Sequence, residues 1–556
     1  MPGGLLNITS VGNANHILTG NPSKTFFKVT YSKYSNFGLQ KFRIDYDGQR
    51  DLRLTEPSTF TFKIPRYADL LMDTYLVVTL PDIWSPIYHP VYAGSTNIDN
   101  NGYKWTSYDF KWIENLGTHM IKEITITCGS LTLQKYSGEY LAAMVDRDFT
   151  AEKKDLFNKM SGNVSELNDP ANVDGRSNMY PSSFFTTHPN GAEPSIRGRN
   201  LFIPINTWFT LDSRCAFPLI SLQYNELIIS VTMRPIQELF QIRDIFDFVN
   251  LYPYVRPDFS KQQFQMYRFL QSPPAVQIGP EKYQNKVSTW NADIHLLSTY
   301  CFLSKDESQI FALQDQVYLV KDVFQYNFEN ITGNRKIKLN SNGMVTNWMF
   351  YLQRNDVNLR NEWSNYTNWP YRSKPNDLEV AAFTNILDTT ITYGPGIDPV
   401  DGRNTGIYIT GDYDVINQKE ILTTLAILLD GEYRENTQTR GVYDYVEKYT
   451  RTNGSAEEGL YCYNFCLSTS PFEYQPSGAI NMSKFRNIEL ELTTYVPPID
   501  TLNSTFTIIC DGNNNPISTQ TQNWRLFNYN YNLTLFEERY NILSIVGGNC
   551  GMLYAR

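Results

Sequence analysis

Apolar and polar residues alternate along many short segments of this chain. In the segment 59–64, Phe60, Phe62 and Ile64 would lie on one face of an extended strand, and the residues between them on the other. The same period of two recurs in both halves of the chain, at 123–128, 227–233, 488–493 and 505–510. A period of two with one apolar face predicts antiparallel sheets that are each buried on one side. Short strands separated by turn residues predict β-sandwiches.

Helical periodicity is confined to a few places. Thr150 and Gly162 predict the beginning and end of one helix, because threonine is a good N-cap and glycine a common C-terminal residue. Pro235 predicts the first turn of a short helix that continues to Ile242. Apolar residues at helical spacing precede the first of these helices: Tyr140, Leu141, Met144 and Val145. The chain is therefore predicted to be all-β with short helical insertions.

The length of 556 residues exceeds what one hydrophobic core usually supports, so we expect two large domains. The strand periodicity lapses from Pro235 to about residue 284, where several prolines accumulate. Each side of this gap is long enough for one sandwich. Four irregular stretches are interpreted as loop insertions: 84–110, 158–200, 390–406 and 433–457.

Composition and charge narrow the class of protein. Aromatic residues make up 14% of the chain and asparagine contributes 51 residues, which favours strands joined by Asn-rich turns. The net charge of −9, with no long Lys/Arg run, argues against direct binding of nucleic acid. No apolar run reaches transmembrane length, and residues 1–7 show no secretory signal. We therefore expect synthesis in the cytosol.

The residues that usually carry chemistry are sparse. The five histidines are scattered, and of the seven cysteines only Cys462 and Cys466 are close in sequence, so we predict buried free thiols and no metal, cofactor or catalytic site. An alternative is a carbohydrate-binding or glycosidase sandwich, with Glu537 and Glu538 as acid and base and the Trp-rich segment 363–369 as a sugar-stacking surface. Adjacent residues on a strand point to opposite faces, so we expect one of these two glutamates to be solvated and the other paired.

Eight N-x-[ST] sequons occur in the chain. Asn453, Asn365 and Asn163 are the candidate glycosylation sites, and Asn453 lies in the most hydrophilic of these segments. Unmodified asparagine in turns is the alternative interpretation.

Several ordered motifs run from residue 3 to residue 555. They are Gly3-Gly4-Leu5-Leu6, Leu18–Tyr31, Ile64–Leu70, Trp112–Gly117, Gly138–Leu141, Phe217–Tyr224 with Glu226, Pro476–Ser483, Tyr540–Leu543 and Gly551–Ala555. Together they resemble the major capsid proteins of nucleocytoplasmic large DNA viruses, and the style of the insertion at 243–271 is similar to mimivirus-like and large algal-virus members. The departure at Asn225, where histidine is common in the family, is a single polar change.

The resemblance implies a tandem double jelly roll, that is, two eight-stranded antiparallel sandwiches. It implies an N-terminal arm at 1–25, a first jelly roll at 26–236 that opens near Phe26 and Phe27, a linker at 237–285 and a second jelly roll at 286–556. It also implies a structural protein that forms homotrimeric, pseudo-hexagonal capsomers in an icosahedral virion assembled in the host cytoplasm.

The resemblance further implies which parts of the chain lie on the inner and outer sides of the capsomer. Arm residues Leu5, Leu6 and Asn7 would face minor capsid proteins, penton proteins and an inner membrane. The insertion 433–457 and the segment 363–369 would form the outer crown. A minor capsid or attachment protein on the same fold remains the second alternative.

Overall fold

Two sandwiches of antiparallel sheets dominate the computed structural model, which describes residues 3–5, 12–48, 51–88, 106–183, 192–245, 247, 252–274, 283, 285–372, 418–497, 507–510, 516–520 and 524–554. The strands in these ranges are β1 Phe37–Asp45, β2 Ser58–Lys63, β3 Leu70–Thr79, β4 Ile87–Tyr88, β5 Thr106–Ser107, β6 Phe110–Trp112, β7 Ile121–Cys128, β8 Leu131–Tyr136, β9 Asn200–Pro204, β10 Phe217–Pro218, β11 Leu227–Met233, β12 Phe240–Arg243, β13 Tyr254–Val255, β14 His295–Leu303, β15 Gln316–Ile331, β16 Asn334–Leu339, β17 Met344–Arg354, β18 Leu422–Leu429, β19 Glu432–Thr439, β20 Leu460–Asn464, β21 Ile480–Asn481, β22 Ile488–Thr494, β23 Thr507–Cys510, β24 Pro516–Gln520, β25 Tyr531–Val546 and β26 Asn549–Met552. The helices are α1 His16–Thr19, α2 Leu116–Met120, α3 Gly138–Asp148, α4 Ala151–Ser161, α5 Ser165–Asn168, α6 Trp208–Leu211, α7 Lys305–Leu313 and α8 Glu447–Arg451.

The two sandwiches have the same strand order. In the first sandwich, one sheet runs β1-β14-β3-β9 and the other β2-β11-β7-β8. In the second, the sheets run β15-β25-β17-β20 and β16-β22-β18-β19. We number the eight strands of these two sheets from one to eight along the chain. Both sandwiches then join strands one, eight, three and six in one sheet, and strands two, seven, four and five in the other. The chain repeats a topology although the two halves share no evident sequence repeat.

The alternating segments form the strands that they predict. β11 alternates buried and half-buried residues along its whole length, and it pairs with β2 and β7 so that Ile229 lies opposite both Phe62 and Ile126. These apolar faces turn into the sandwich core, which is the expected arrangement for a half-buried antiparallel sheet. Within the alternating segment 505–510, the described residues Thr507–Cys510 form a strand, β23.

The helix boundaries near Thr150 and Gly162 are confirmed. Thr150 precedes α4 with extended backbone, and Gly162 ends it with a φ of 78°, in the left-handed region that glycine adopts without steric cost. The short helix expected from Pro235 to Ile242 is wrong beyond its first turn. Only Ile236–Glu238 forms a 3-10 turn, and the chain then enters β12, which pairs with β6 and β13 in a small third sheet.

The eighth strand of the first sandwich lies unexpectedly late in the sequence. β14 pairs with β1 and with β3, although it falls inside the range 286–556 expected for the second jelly roll. The change between the two sandwiches therefore comes after Leu303, at α7. The apolar residues of β14 do not alternate strictly, and nothing in its sequence indicates which sheet it joins.

The expected opening of the first sandwich near Phe26 is also wrong. Residues 20–36 form no strand, and the Phe26 and Phe27 side chains are 89% and 97% exposed; the first strand begins at Phe37. The insertion expected at 433–457 is instead an ordered part of the second sandwich, since β19 pairs with β18 and is followed by a π-helix at Val442–Val446 and by α8. The insertion expected at 390–406 lies outside the described residues.

Candidate functional site

Helix α3 lies between the two sandwiches and defines the region that we call the junction. It begins after Ser137, whose hydroxyl accepts a hydrogen bond from the Tyr140 backbone nitrogen at 3.3 Å. At Gly138 an added Cβ would lie 1.8 Å from the Thr118 carbonyl oxygen, so only glycine permits this close approach to α2. Nine of the eleven residues of α3 are buried, because the helix packs on one sandwich and is covered by the other.

Arg147 joins the sandwiches through a buried network of charges. Its guanidinium donates to Glu538 of β25 at 2.7 Å, to the side-chain oxygen Oδ1 of Asn347 in β17 at 2.6 Å, and to the neighbouring Asp148 at 2.7 Å. The side chains of Arg147, Asp148 and Glu538 are 1%, 0% and 2% exposed. Tyr140 completes the link by donating its hydroxyl to Glu538 at 3.0 Å. A bidentate arginine between carboxylates fixes both distance and angle between the elements that it joins.

The electrostatics of this network depend on Arg147. Burial by itself raises the pKa of Glu538, but the positive charges of Arg147 and Lys321 outweigh it and lower that pKa to about 2. Burial also raises the pKa of Asp148, and here it prevails over the neighbouring guanidinium. Glu538 is therefore the carboxylate whose negative charge the junction stabilises, and it remains ionised throughout the physiological pH range.

A second contact between the sandwiches involves the Trp-rich segment 363–369 and the residues before it. Asn361 donates to the carbonyl oxygens of Gln237 and Phe240, each at 2.8 Å, and Trp363 donates its indole N–H to the Glu238 carbonyl at 3.0 Å. The first-sandwich turn 237–240 is thus held by side chains from the second half of the chain. The expectation that 363–369 forms an outer crown or a sugar-stacking surface is wrong, because residues 364–368 are buried.

Apolar packing is continuous across the junction. Val323, Met349 and Phe536 of the second sandwich belong to the same buried cluster as the core of the first. The rings of Tyr140 and Phe536 meet edge to face, with centroids 5.6 Å apart. A continuous apolar core with buried, paired charges makes the two sandwiches one block rather than two domains on a hinge.

The two glutamates considered as a catalytic pair have structural roles. Glu537 accepts hydrogen bonds from the Trp348 indole at 2.7 Å and from Ser341 at 2.6 Å, and it is as buried as Glu538. The expectation that one of them would be solvated is wrong: both are paired, on opposite faces of β25. In the described ranges no group of three His, Cys, Asp or Glu residues could hold a metal ion.

The three candidate glycosylation sites differ in accessibility. Asn453 is exposed and Asn163 is half-buried. Asn365 is 1% exposed, and its amide nitrogen donates to the carbonyl oxygens of Trp369 and Pro370. Asn365 therefore cannot carry a glycan in the folded chain, since the nitrogen that would be modified is buried and bonded.

Of the three arm residues expected to face the interior, only one belongs to the described part of the chain. Leu5 is 65% exposed, whereas Leu6 and Asn7 lie outside the described residues. No helix in the described part of the chain is both long and apolar enough to cross a bilayer.

Sequence reasoning missed the junction itself. Arg147 and Glu538 are nearly 400 residues apart, and no local pattern connects them. The sequence signal is weak: Arg147 and Asp148 follow the apolar residues of α3, and Glu537 and Glu538 are adjacent acidic residues within β25.

Comparison with known proteins places these features in a family. The model of the major capsid protein N-terminus matches residues 25–268, and the model of the large eukaryotic DNA virus major capsid protein matches residues 307–551. The major capsid protein of Chrysochromulina ericina virus is 23% identical, with 88% of this chain and 94% of the relative covered. The major capsid protein of Paramecium bursaria Chlorella virus 1 is 22% identical over the full length of both chains.

Solved structures agree on the fold. The PBCV-1 virus capsid protein superimposes with a TM-score of 0.59 at 18% identity, covering 96% of this chain and 100% of the other. The Faustovirus major capsid protein gives a TM-score of 0.59 at 13% identity, covering 98% of each chain. The fold is the tandem double jelly roll, and the matched relatives are structural proteins rather than enzymes. With both halves matched in order and the same sandwich topology repeated, this chain belongs to the family of major capsid proteins of large eukaryotic DNA viruses.

Proposed function

We propose that three copies of this chain associate into a pseudo-hexagonal capsomer, and that such capsomers tile an icosahedral shell. The observation that supports this is the repeated strand order of two sandwiches in one chain. Three copies around a threefold axis would present six similar sandwiches, which approximates sixfold symmetry. The junction supports the same proposal, because a rigid pair of sandwiches keeps the angle between neighbouring edges constant.

The trimer would close through a heterologous contact, in which the first sandwich of one copy meets the second sandwich of the next. Contacts between capsomers would be individually weaker, and their number would give the shell its stability. The chain would thus act in the virion capsid, after synthesis and assembly in the host cytoplasm.

The N-terminal arm is proposed to face the interior of the shell. Its apolar side chains are unusually exposed, with Leu5, Ile17 and Leu18 65%, 87% and 88% accessible. Exposed apolar residues in such number favour a binding surface. Minor capsid proteins, penton proteins and the inner membrane are the proposed partners.

On the outer side of the shell, Asn453 and Asn163 remain the proposed positions for glycans.

The solution mass of the purified chain tests the trimer. Three copies of 64.2 kDa give about 193 kDa, and we expect this mass by light scattering across a range of protein concentrations. A stable 64.2 kDa monomer at micromolar concentration would contradict the proposal.

Removal of residues 1–25 tests the role of the arm. We expect the shortened chain to form the trimer with an unchanged unfolding temperature but to assemble shells poorly. The double variant Ile17→Ser/Leu18→Ser is the finer test, because it keeps the length of the arm and removes two of its most exposed apolar side chains. Loss of folding in either variant would show that the arm belongs to the body of the protein.

A further inference from the structure

Two cysteines from opposite ends of the chain meet at the surface of the first sandwich. Cys128 is the last residue of β7, and Cys550 lies in β26, about 420 residues later. Each thiol is the main electrostatic neighbour of the other: their contact lowers the pKa of Cys128 and raises the pKa of Cys550. The two residues belong to different sandwiches, so this contact lies at the boundary between them, separate from the Arg147 network.

The turn between β25 and β26 holds Cys550 in this place. Gly547 and Gly548 adopt φ values of 56° and 81°, which a two-residue hairpin turn requires and glycine accepts without strain. The Gly548 carbonyl accepts a hydrogen bond from the Gln223 backbone nitrogen at 3.2 Å. An added Cβ at Gly548 would lie 2.8 Å from the Gln223 Cβ, so the hairpin tip rests directly on the first sandwich.

The surroundings favour reaction at this pair. The hydrogen bond from Cys550 lowers the pKa of the Cys128 thiol against the opposing effect of burial, and the positive charge of Arg66 lowers it further. Cys128 is 1% exposed, whereas Cys550 is half-buried and therefore the more accessible to a small oxidant. By contrast, burial raises the pKa of Cys462 to about 12, which leaves that thiol unreactive.

We propose that Cys128 and Cys550 form a disulfide bond when the folded protein passes from a reducing to an oxidising environment, and that this bond fastens the C-terminal hairpin of the second sandwich to the first. The oxidant is a low-molecular-weight disulfide. Cys550, the more accessible thiol, loses its proton and attacks one of the sulfur atoms of this reagent; a mixed disulfide forms and one small thiol is released. The Cys128 thiolate then attacks the Cys550 sulfur and releases the second. The two cysteine protons are taken up by the two small thiols, so the protein is oxidised and the reagent reduced by two electrons.

The bond would close a loop of about 420 residues, roughly three quarters of the chain. A crosslink between residues so distant in sequence removes much of the freedom of the unfolded chain. The disulfide bond would not contribute to assembly in the reducing cytosol, because cysteine thiols stay reduced there. Its effect would begin only outside the cell, where a particle must resist unfolding.

Thiol counting with oxidised glutathione tests the proposal. The full-length protein contains seven cysteines, and after incubation and denaturation we expect five reactive thiols instead of seven. Peptide mapping without reductant should recover the Cys128 and Cys550 peptides joined, and the Tm of the oxidised protein should rise by about 5 °C or more. Dithiothreitol should restore seven thiols and the original Tm.

Two variants make the result specific. Cys550→Ser should keep its six remaining thiols after oxidation and show no rise in Tm. Cys215→Ser, which also removes a half-buried cysteine, should still lose two thiols and show the full rise. Seven thiols in the oxidised wild type, a link between Cys462 and Cys466 instead, or an unchanged response in Cys550→Ser would each overturn the proposal.

Discussion

Replacement of Arg147 by methionine should weaken the junction more than any other single exchange of a charged side chain there. Methionine retains most of the apolar stem, so the change removes charge and hydrogen bonds rather than volume. The side chains of Glu538 and Asp148, 2% and 0% exposed, would lose the guanidinium that lies 2.7 Å from each. Lys321, at 4.0 Å from Glu538, would be the nearest remaining cation and is too distant for a full hydrogen bond.

The magnitude follows from the burial of these groups. Removal of one partner from a buried ion pair typically costs about 3–5 kcal/mol, because the other charge stays buried without compensation. With an unfolding entropy of roughly 2.1 cal/mol/K per residue, each kcal/mol lowers the Tm of one 556-residue block by a little under about 1 °C. We therefore expect Arg147→Met to reduce the free energy of unfolding by about 4 kcal/mol and the Tm by roughly 3 °C.

Differential scanning calorimetry and urea unfolding would measure this loss. Lys159→Met is the matched control, since its ion pair with Asp155 on the neighbouring helix is more than 60% exposed on both sides and should change stability by less than about 0.5 kcal/mol. Adding Glu538→Gln to Arg147→Met should recover part of the loss, because the buried negative charge is then removed. A free energy of unfolding of Arg147→Met within about 1 kcal/mol of the wild-type value would refute the view that this network holds the sandwiches together.

Three further outcomes are expected. The folded-state pKa of Glu538 lies at about 2, below its unfolded value, so its contribution to stability is present above about pH 4.5 and is lost as the pH falls towards 2. The Tm difference between the wild type and Glu538→Gln should therefore shrink when it is measured from pH 6 down to pH 2.5. Gly138→Ala should lower stability by about 2 kcal/mol or more in urea unfolding, since its Cβ would collide with the α2 carbonyls, whereas Gly12→Ala has open space and should be neutral. If the chain is glycosylated when produced with its native host machinery, peptide mass spectrometry should find sugar at Asn453 and none at Asn365; sugar at Asn365 would contradict its burial in the folded chain.

The strands that show clear alternation could be identified before the fold was known. β2, β7, β11 and β22 coincide with segments in which every second residue is apolar, because one face of each strand packs on the opposite sheet. The caps of α4 were equally evident, since Thr150 and Gly162 act on the backbone within a few residues.

Other elements could not be located in this way. β14 lacks strict alternation, and only its pairing with β1 and β3 assigns it to the first sandwich. The segment Phe26–Tyr31 has the composition of a strand, but the structure leaves it beside no sheet. For the Trp-rich segment, aromatic and asparagine content fits an exposed loop as well as a buried one, and the hydrogen bonds of Asn361 and Asn365 are what place it inside.

The sequence by itself determined the all-β class, the two-part organisation and the family, because alternation and short motifs depend on neighbours only a few residues apart. Only the tertiary structure decided which strands share a sheet, how Arg147 meets Glu538, and that Cys128 meets Cys550. The side-chain contacts of Arg147 and Cys128 join residues about 200 to 420 positions apart. They stabilise the protein only after both sandwiches have formed and water has been excluded from the boundary between them.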